Sequence, residues 1–331
     1  MKLGIFSVMD FHPDVQASQS NFYQQTIDYA IAADKHGFDS FWVAEHHFSH
    51  YGLCPSPSLL LSNIAARTKN IKLGPAVKVL PFHDPVKVAE EYAVLDVLSG
   101  GRLEVAVGKG YLEHEYLGHN IQREDSQQRF IEALDIIQAL WTGQEVTYQG
   151  EHFSLPNPVK LNTLPLQPNG PALSFAGLSA PGFSKVGELG HSIMGIPYLM
   201  ESLDSLRPAL ASYRQGLADG GHDSKKIQTT MGVHIHVAKT NALARQQSQE
   251  FLTRYCVTRA VGNSKTFDEL MEKQLICIGD PDHVTQQLQT MADMGTTRVL
   301  ALKDFGGMPF GLVKSSLDLL AKEVYPVLSN V

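Results

Sequence analysis

Cysteine is scarce in this chain: there are three among 331 residues, at positions 54, 256 and 277. They are far apart in the sequence and odd in number, which does not fit a framework of disulfides. Proteins stabilised by disulfides occur mainly in oxidising compartments. The cysteine usage therefore predicts a protein of a reducing compartment, most simply the cytoplasm.

Long apolar runs are also missing, since no stretch approaches the roughly 18 apolar residues that a membrane-spanning helix needs. The apolar run at residues 3–9 ends at Asp10 and lacks a small-residue cleavage site, so it predicts a first strand and not a signal peptide. Basic blocks are absent too, and 27 basic against 34 acidic residues give a net charge of −7. We therefore expect a soluble globular protein without a nucleic-acid or membrane partner.

What is present is a regular alternation of predicted strands and helices along the whole length. Eight strands are predicted, at residues 3–9, 38–43, 71–80, 103–107, 172–176, 191–196, 228–237 and 298–302. Two intervening helices begin with Asp-Pro, at Asp84 and Asp280, where Asp caps free amides and Pro fits the first helical position. Alternation of this kind predicts a parallel sheet. Eight units favour a single (β/α)8 TIM barrel over an open doubly wound sheet, although spacing alone leaves both possible.

Two segments interrupt this rhythm. Residues 144–168 are polar, contain four prolines and include a hairpin-like stretch at 146–153, so they predict an insertion between the fourth strand–helix unit and the fifth strand. Residues 258–273 show weak periodicity and predict a mobile loop. Neither has the composition of a linker, and we expect one domain spanning residues 1–331.

Polar side chains follow most of the early predicted strands, and in a (β/α) barrel the loops after strands carry function. The strongest candidate is His46, in the run Glu45-His46-His47 that directly follows the second strand. Histidine titrates near pH 6.5, so it can exchange protons under cellular conditions. Neighbouring residues at a strand end point in opposite directions, so only one of His46 and His47 is expected to face a pocket.

Metal binding is an alternative that the histidines raise. His114 and His119 bracket a sequence similar to the zinc-protease helix, but with one residue too many to share a helical face. His234 and His236 would share one face of the seventh strand. Two ligands do not make a site, so the sequence predicts no metal centre, and a metal-dependent barrel hydrolase remains the alternative from another class.

Two segments could hold a phosphate, although no P-loop or dinucleotide-binding motif is present. Lys109 lies between two glycines after the fourth strand. After the fifth strand, residues 177–182 (G-L-S-A-P-G) open a helix whose free amides, with the hydroxyl of Ser179, could bind an anion. From these residues alone, an ordinary helix start capped by Ser179 is the preferred explanation of the second segment.

An ordered set of short segments resembles the bacterial luciferase-like flavin monooxygenases. They are 44–48 (A-E-H-H-F), 73–74 (L-G), 80–86 (L-P-F-H-D-P-V), 95–103 (L-D-V-L-S-G-G-R-L), 108–110 (G-K-G), 175–179 (F-A-G-L-S) and 323–328 (E-V-Y-P-V-L). The resemblance covers essentially the whole chain. It implies a (β/α) barrel with an insertion, usually a homodimer, that receives reduced FMN from a separate flavin reductase and oxygenates a small organic substrate with O2 through a flavin hydroperoxide.

The resemblance also implies roles for individual residues. His46 falls on the family's active-site histidine, which manages protons. Lys109 falls on a basic position that contacts the flavin phosphate, and Ala76-Val77 on a position that can carry a cis peptide beside the flavin ring. The loop residues Phe48, Tyr51 and Leu53 would exclude water. The remaining cofactor positions belong to the phosphate-binding turn: Ala176, Gly177, Leu178, Ser179 and Gly182.

Two departures from the luciferases bear on the substrate. Gly108 occupies a position where those enzymes have Cys, and the loop after the seventh strand is shorter. Both argue against light emission and a long-chain aldehyde substrate. Within the same superfamily, a deazaflavin-dependent dehydrogenase and a non-catalytic flavin-binding protein remain alternatives.

Overall fold

Parallel strands form the wall of a barrel in this computed structural model, which describes residues 1–177, 180–224, 227–259 and 265–329. The strands are β1 Lys2–Ser7, β2 Ser40–Val43, β3 Lys72–Pro75, β4 Lys78–Val79, β5 Glu104–Gly108, β6 Val146–Gln149, β7 Ser154–Val159, β8 Ala172–Ala176, β9 Ser192–Gly195, β10 Thr229–Val237, β11 Cys277–Gly279 and β12 Arg298–Leu302. The main sheet has the order β3-β2-β1-β12-β10-β9-β8-β5-β4, and its strand pairs are parallel.

The two ends of that order meet and close the ring. β3 and β4 occupy one strand position, separated by the Ala76–Val77 peptide bond, which is cis. β3 pairs with β2 and β4 pairs with β5, while Leu73 bridges to Leu103 at the start of β5. Eight strand positions therefore surround the core, and the predicted (β/α)8 barrel is confirmed. The predicted strand at 71–80 is interrupted at the cis bond, which its apolar run does not signal.

β11 is a strand that the sequence pattern did not predict. It pairs with the outer half of β10, with Ile235 opposite Cys277, and is not part of the ring. Three residues are too short to show the alternation of polar and apolar side chains that marks a strand.

Helices cover the outside of the barrel and its carboxyl end. They are α1 Gln19–Lys35, α2 Pro57–Ala65, α3 Pro85–Ser99, α4 Glu113–Gly118, α5 Ser126–Trp141, α6 Ala180–Glu188, α7 Leu206–Asp219, α8 Asn241–Arg259, α9 Phe267–Glu272, α10 Pro281–Met294, α11 Phe310–Leu319 and α12 Tyr325–Ser329. Asp84 and Asp280 cap α3 and α10 as expected, each accepting a backbone N–H at 2.9 Å. None of the helices in these ranges is both long and apolar enough to cross a bilayer.

The segment predicted to be a mobile loop, residues 258–273, contains the end of α8 and all of α9. Thr266 and Glu269 form a capping box that starts α9, with the Thr266 hydroxyl and the Glu269 carboxylate each accepting a backbone N–H. Residues 260–264 lie outside the described part, so the mobility of this segment stays a prediction.

The amino-terminal end of the barrel is filled by a charged cluster around Arg298 of β12, which is 1% exposed. Its guanidinium donates two hydrogen bonds to Glu104 of β5, at 2.7 and 3.0 Å, and its Nε lies 3.0 Å from Asp39. Arg298 also lies over the ring of Trp42, at 5.7 Å from the ring centre. A side chain at Gly74 would collide with that ring, so glycine is required there. The cluster joins opposite strands and closes this end of the barrel.

The predicted insertion forms the antiparallel hairpin β6–β7, and Glu132 of α5 fixes its turn. The Glu132 carboxylate accepts the backbone N–H groups of Glu151, His152 and Phe153 at 2.8–2.9 Å. Burial alone would raise the pKa of Glu132, but these bonds and one from Gln128 lower it to about 2. The Glu132 carboxylate therefore ties the turn of the hairpin to α5.

We expect Glu132→Gln to lower the free energy of unfolding by about 1–3 kcal/mol, because bonds between amides and a charged acceptor are lost. In an unfolded chain the pKa of Glu is about 4.3. The stabilisation is therefore present above about pH 4.3 and disappears as the pH falls towards 2. Urea denaturation of both proteins between pH 7 and 3 should show their difference shrinking at the acid end. Glu145→Gln, an exposed site beside the hairpin, is the control; a difference independent of pH would contradict this role of Glu132.

Candidate active site

The carboxyl end of the barrel is organised around Glu45, which follows β2 and is buried. Its Oε1 accepts from His47 Nε2 at 3.0 Å and from His83 Nε2 at 2.5 Å. Its Oε2 lies 2.9 Å from Lys78 Nζ, which is also buried. Burial alone would raise the pKa of Glu45, but Lys78 and the two histidines outweigh it and hold the pKa well below its usual range. The Glu45 carboxylate therefore connects the loop after β2 with β4 and with the turn that follows β4.

Glu45, His47 and His83 are the only His, Cys, Asp or Glu side chains of the described residues whose potential ligand atoms gather closely enough for a metal ion. The Lys78 ammonium already neutralises Glu45, and a divalent ion would lie beside that buried cation. The cluster is better explained as a balanced ion pair supported by two imidazoles.

His46 faces a second buried carboxylate, that of Glu115 on α4. His46 Nδ1 lies 2.9 Å from Glu115 Oε1, and the same oxygen accepts the backbone N–H of His47 at 2.9 Å. A carboxylate at Nδ1 places the ring proton there and leaves the lone pair on Nε2. The side chains of His46 and His47 thus bind different carboxylates, those of Glu115 and Glu45, which agrees with the expectation that they point in opposite directions. The arrangement orients His46 Nε2 as a base.

Glu115 is a candidate site residue that the sequence pattern did not identify. It lies inside the His114–His119 segment, whose spacing does not fit a zinc motif. The segment forms α4, whose Glu115 is 1% exposed, and a buried carboxylate in a short helix after a barrel strand is the signal that could have identified it.

The loop after β2 folds back over His46. The ring of Tyr51 lies 4.7 Å from that of His46 between centres, and the ring of Tyr111 lies at 6.1 Å. Gly52 has a φ of +77°, and a side chain there would collide with His46, so only glycine allows this fold of the loop. Tyr51 is buried as expected of a water-excluding residue. Phe48 is mostly exposed and packs beside His119, so it does not cover His46.

A wall of small side chains lines the barrel beside the cis peptide. A Cβ added at Gly108 of β5 would lie 2.7 Å from Cγ2 of Val77, which directly precedes β4, and 3.6 Å from Cβ of Ala176 on β8, so these three residues are direct neighbours. Ala176 is exposed despite its position on a barrel strand. The structure therefore places Val77, which the family resemblance connects with the flavin ring, beside Ala176, which it connects with the phosphate-binding turn, and Ala76 directly precedes Val77.

The residues expected to bind phosphate are only partly described. Lys109 is exposed, and its Nζ donates to the neutral Gln127 Oε1 at 2.9 Å. The Gly177 N–H donates to the Met194 carbonyl at 2.9 Å and so belongs to the sheet. Leu178 and Ser179 lie outside the described residues, and Gly182 is in the first turn of α6.

His234 and His236 do not form a metal site with a third ligand in the described ranges. His236 Nε2 lies 3.0 Å from Gln247 Oε1 of α8. His234 is packed among the rings of Tyr198, Tyr255 and Phe305. Burial and the nearby Arg259 charge lower the pKa of His234 to about 3, so it is neutral. Arg259 itself lies among tyrosines beside His46, and sequence reasoning missed it because it falls in the segment predicted to be mobile.

Comparison with known proteins decides the family. The family model described as luciferase-like monooxygenase matches residues 1–298 of this chain.

The chain belongs to the luciferase-like monooxygenase family.

Relatives of this luciferase-like protein include monooxygenases and a dehydrogenase. A protein of Sinorhizobium fredii, described as uncharacterized, is 38% identical over 47% of this chain and 45% of its own length, so the chain matches less than half of that relative. The oxygenase component of a flavin-dependent trigonelline monooxygenase from Acinetobacter baylyi is 25% identical over 100% of this chain and 96% of the relative. An F420-dependent glucose-6-phosphate dehydrogenase of Amycolatopsis mediterranei is 23% identical over 83% of this chain and 86% of the relative.

Solved structures confirm the fold of this family member. Monooxygenase RslO1 from Streptomyces bottropensis superimposes with a TM-score of 0.92 at 25% identity, covering 99% of this chain and 100% of that one. The oxygenating constituent of 3,6-diketocamphane monooxygenase from Pseudomonas putida, solved with FMN, gives a TM-score of 0.81 at 22% identity over 98% of both chains.

The Glu45–Lys78 pair can be tested without any ligand. Glu45→Gln leaves a buried ammonium without its partner, and we expect a loss of about 3–5 kcal/mol in the free energy of unfolding. The double variant Glu45→Gln with Lys78→Met removes both charges and should recover more than half of that loss. Chemical denaturation measures both, and Glu145→Gln, at an exposed position, is the control. If the double variant is as unstable as the single one, the charge balance described here is wrong.

Proposed function

We propose that this protein is the oxygenase of a two-component flavin-dependent monooxygenase, which uses reduced FMN and O2 to oxygenate a small organic substrate. The observation that carries the proposal is the position of His46. Its imidazole is oriented by the buried Glu115 carboxylate at the carboxyl end of the barrel, where active sites of this fold lie.

The residues present fit FMN. A flat ring needs a wall without protruding side chains, and Val77, Gly108 and Ala176 provide one in the barrel interior. A phosphate needs a cation that is free to bind it, and Lys109 is exposed with a neutral partner only. The Gly177 amide is already hydrogen-bonded to the Met194 carbonyl and is not free to bind the phosphate. Gly177 would instead leave room for the phosphate because it has no side chain. The related diketocamphane oxygenase was solved with FMN, which supports the same cofactor here.

Each part of the site then has a chemical task. Reduced FMN supplies the electrons that activate oxygen. His46 exchanges protons at Nε2 while Glu115 holds its ring in place. The buried Tyr51 and the loop around Gly52 exclude water from the space beside His46. A separate flavin reductase would supply the reduced cofactor, and three buried, unpaired cysteines fit a reducing cytoplasm.

A second candidate is a dehydrogenase that uses the deazaflavin F420. The F420-dependent relative supports it, because the same barrel and the same histidine could serve hydride transfer. Titration of the purified protein with reduced FMN and with reduced F420, both without oxygen, separates the two. The leading proposal requires tighter binding of FMN and, with a reductase and a substrate panel under 18O2, incorporation of one 18O atom into product. Preference for F420 without 18O incorporation would favour the dehydrogenase.

We expect His46→Ala to leave the affinity for reduced FMN within about threefold and to lower the rate of oxygenation at least tenfold, since general acid–base catalysis contributes factors of about 10²–10⁴. Flavin fluorescence measures binding, and product formation measures the rate. His50→Ala, an exposed histidine of the same loop, should leave both unchanged. Unchanged turnover in His46→Ala would remove His46 from the mechanism.

Lys109→Met should weaken FMN binding about tenfold and riboflavin binding by less than twofold, because only FMN carries the phosphate that an ammonium attracts. Fluorescence titration with both flavins measures the difference. Lys185→Met, at an exposed lysine of α6, is the matched control. Equal weakening of the two flavins would show that Lys109 does not contact phosphate.

We propose that a second copy of this chain binds to the outer face of α2 and α3. Leu59, Val94 and Leu98 are 74%, 43% and 61% exposed there and line a groove of about 480 Å³. Lys87, Glu90 and Glu91 line the same groove. Both signs of charge beside apolar side chains make the surface self-complementary, as a twofold dimer requires.

Leu98→Glu should convert a dimer to a monomer, because it places a charge in the apolar centre of this surface. Sedimentation equilibrium measures the mass. Leu117→Glu, which alters an equally exposed leucine on α4, should leave the dimer intact. A monomeric wild type, or a dimer that tolerates Leu98→Glu, would show that this face is not the interface.

A further inference from the structure

Arg259, the last residue of α8, is a buried cation without an acidic partner. It is 8% exposed, and no carboxylate of the described residues lies within ion-pair distance of its guanidinium. It donates hydrogen bonds to the hydroxyls of Tyr255, at 2.6 Å, and Tyr111, at 2.9 Å. The guanidinium carbon lies 5.3–5.8 Å from four ring centres. These rings, of Tyr51, Tyr111, Tyr198 and Tyr255, form a tyrosine cage.

The residues that the structure does not describe add no acidic side chain. The residues outside the described part are Leu178, Ser179, Lys225, Lys226, the segment 260–264 (A-V-G-N-S), Asn330 and Val331, and none has a carboxylate side chain.

Tyr51 and Tyr255 do not supply the missing negative charge. Burial raises the pKa of Tyr51 well above its usual value and, despite the nearby Arg259 charge, raises the pKa of Tyr255 to about 12. Both phenols are therefore neutral at physiological pH, and hydrogen bonds and cation–π contacts only partly replace solvation. Buried charges in folded proteins are otherwise paired, and an unpaired one is costly.

Unsatisfied donors remain in the cage. A guanidinium has five N–H groups, of which two are used by Tyr255 and Tyr111. Arg259 Nε is buried without a partner among the described residues. His234 is fully buried, packs edge-on against the Tyr255 ring at 4.7 Å between ring centres, and has no hydrogen-bond partner at either nitrogen among the described residues. A cation, hydrogen-bond donors without a partner among the described residues, and aromatic rings therefore lie close together.

That place adjoins the proposed reaction centre. Tyr51 and Tyr111 lie near both His46 and Arg259. Their ring centres are 4.7 and 6.1 Å from that of His46, and 5.3 and 5.8 Å from the guanidinium carbon of Arg259. Only one layer of aromatic rings separates the cation from the histidine. Tyr111 is partly exposed, so the cage is not sealed.

We propose that Arg259 and the tyrosine cage bind the carboxylate of the organic substrate, which is a flat, aromatic or conjugated acid. The guanidinium matches a carboxylate with two parallel hydrogen bonds, and the tyrosine rings offer faces to a planar framework. The inference rests on the proposed function, because it makes the ligand of Arg259 the molecule that is oxygenated beside His46. Arg259 is thus assigned as the residue that determines substrate class.

Binding of simple probes tests this assignment without knowledge of the natural substrate. Calorimetric titration with benzoate and with its neutral analogue benzamide, with and without FMN, should show benzoate binding at least tenfold tighter. Arg259→Met should abolish that preference, and Arg259→Lys should retain part of it, because the charge remains but the paired geometry does not. Arg245→Met, on the same helix but paired with Asp268, should behave as wild type.

Thermal unfolding distinguishes a ligand site from a structural arginine. Removal of an uncompensated buried charge should leave the melting temperature of Arg259→Met unchanged or higher, whereas loss of a structural contact would lower it by several degrees. Equal affinity for benzoate and benzamide, or an unaltered preference in Arg259→Met, would overturn the proposal. Tighter binding of 4-nitrophenolate than of benzoate would overturn its assignment to a carboxylate. Preference for benzoate in a protein with no affinity for FMN would support the anion site and refute the flavin function.

Discussion

Glu45 places a negative charge inside the barrel, where water cannot solvate it, and side chains from neighbouring strand exits neutralise it. Lys78 comes from β4, His83 from the turn after it, and His47 from the same loop as Glu45. The geometry of the carboxyl end follows from this requirement. Once His47 is committed to Glu45, His46 points the other way, towards Glu115. Two carboxylates thus assign two adjacent histidines to different tasks.

The fold was predictable because its signals are local and repeated. Strands that are apolar along their length, Asp-Pro helix starts at Asp84 and Asp280, and a polar, proline-rich insertion each act within a few residues. The elements that were missed lack such signals. β11 has three residues, and the break at Ala76–Val77 lies within an apolar run that reads as one strand.

The candidate site was predictable only in part, because only some of its residues carry a local sequence signal. His46 follows a strand and is flanked by other titratable residues, so local sequence marks it. Its partner Glu115 is 69 positions away, and the pairing depends on how α4 packs over the barrel. Arg259 is brought to Tyr51 and Tyr111 from a distant helix. No pattern within α8 shows that this arginine, unlike its neighbour Arg254, is buried without a carboxylate.

The closed amino-terminal end of the barrel has a kinetic consequence. Arg298, Glu104 and Trp42 fill that end, so we expect ligands to reach the interior from the side of the strand exits. Gly108 and Ala176 lie on barrel strands and Val77 directly precedes β4, while the tyrosine cage is built from α8 and the loops that follow the strands. If the flavin binds to this wall and the substrate to the cage, as proposed, the flavin lies deeper than the substrate. We therefore expect the flavin to enter first and to depart last.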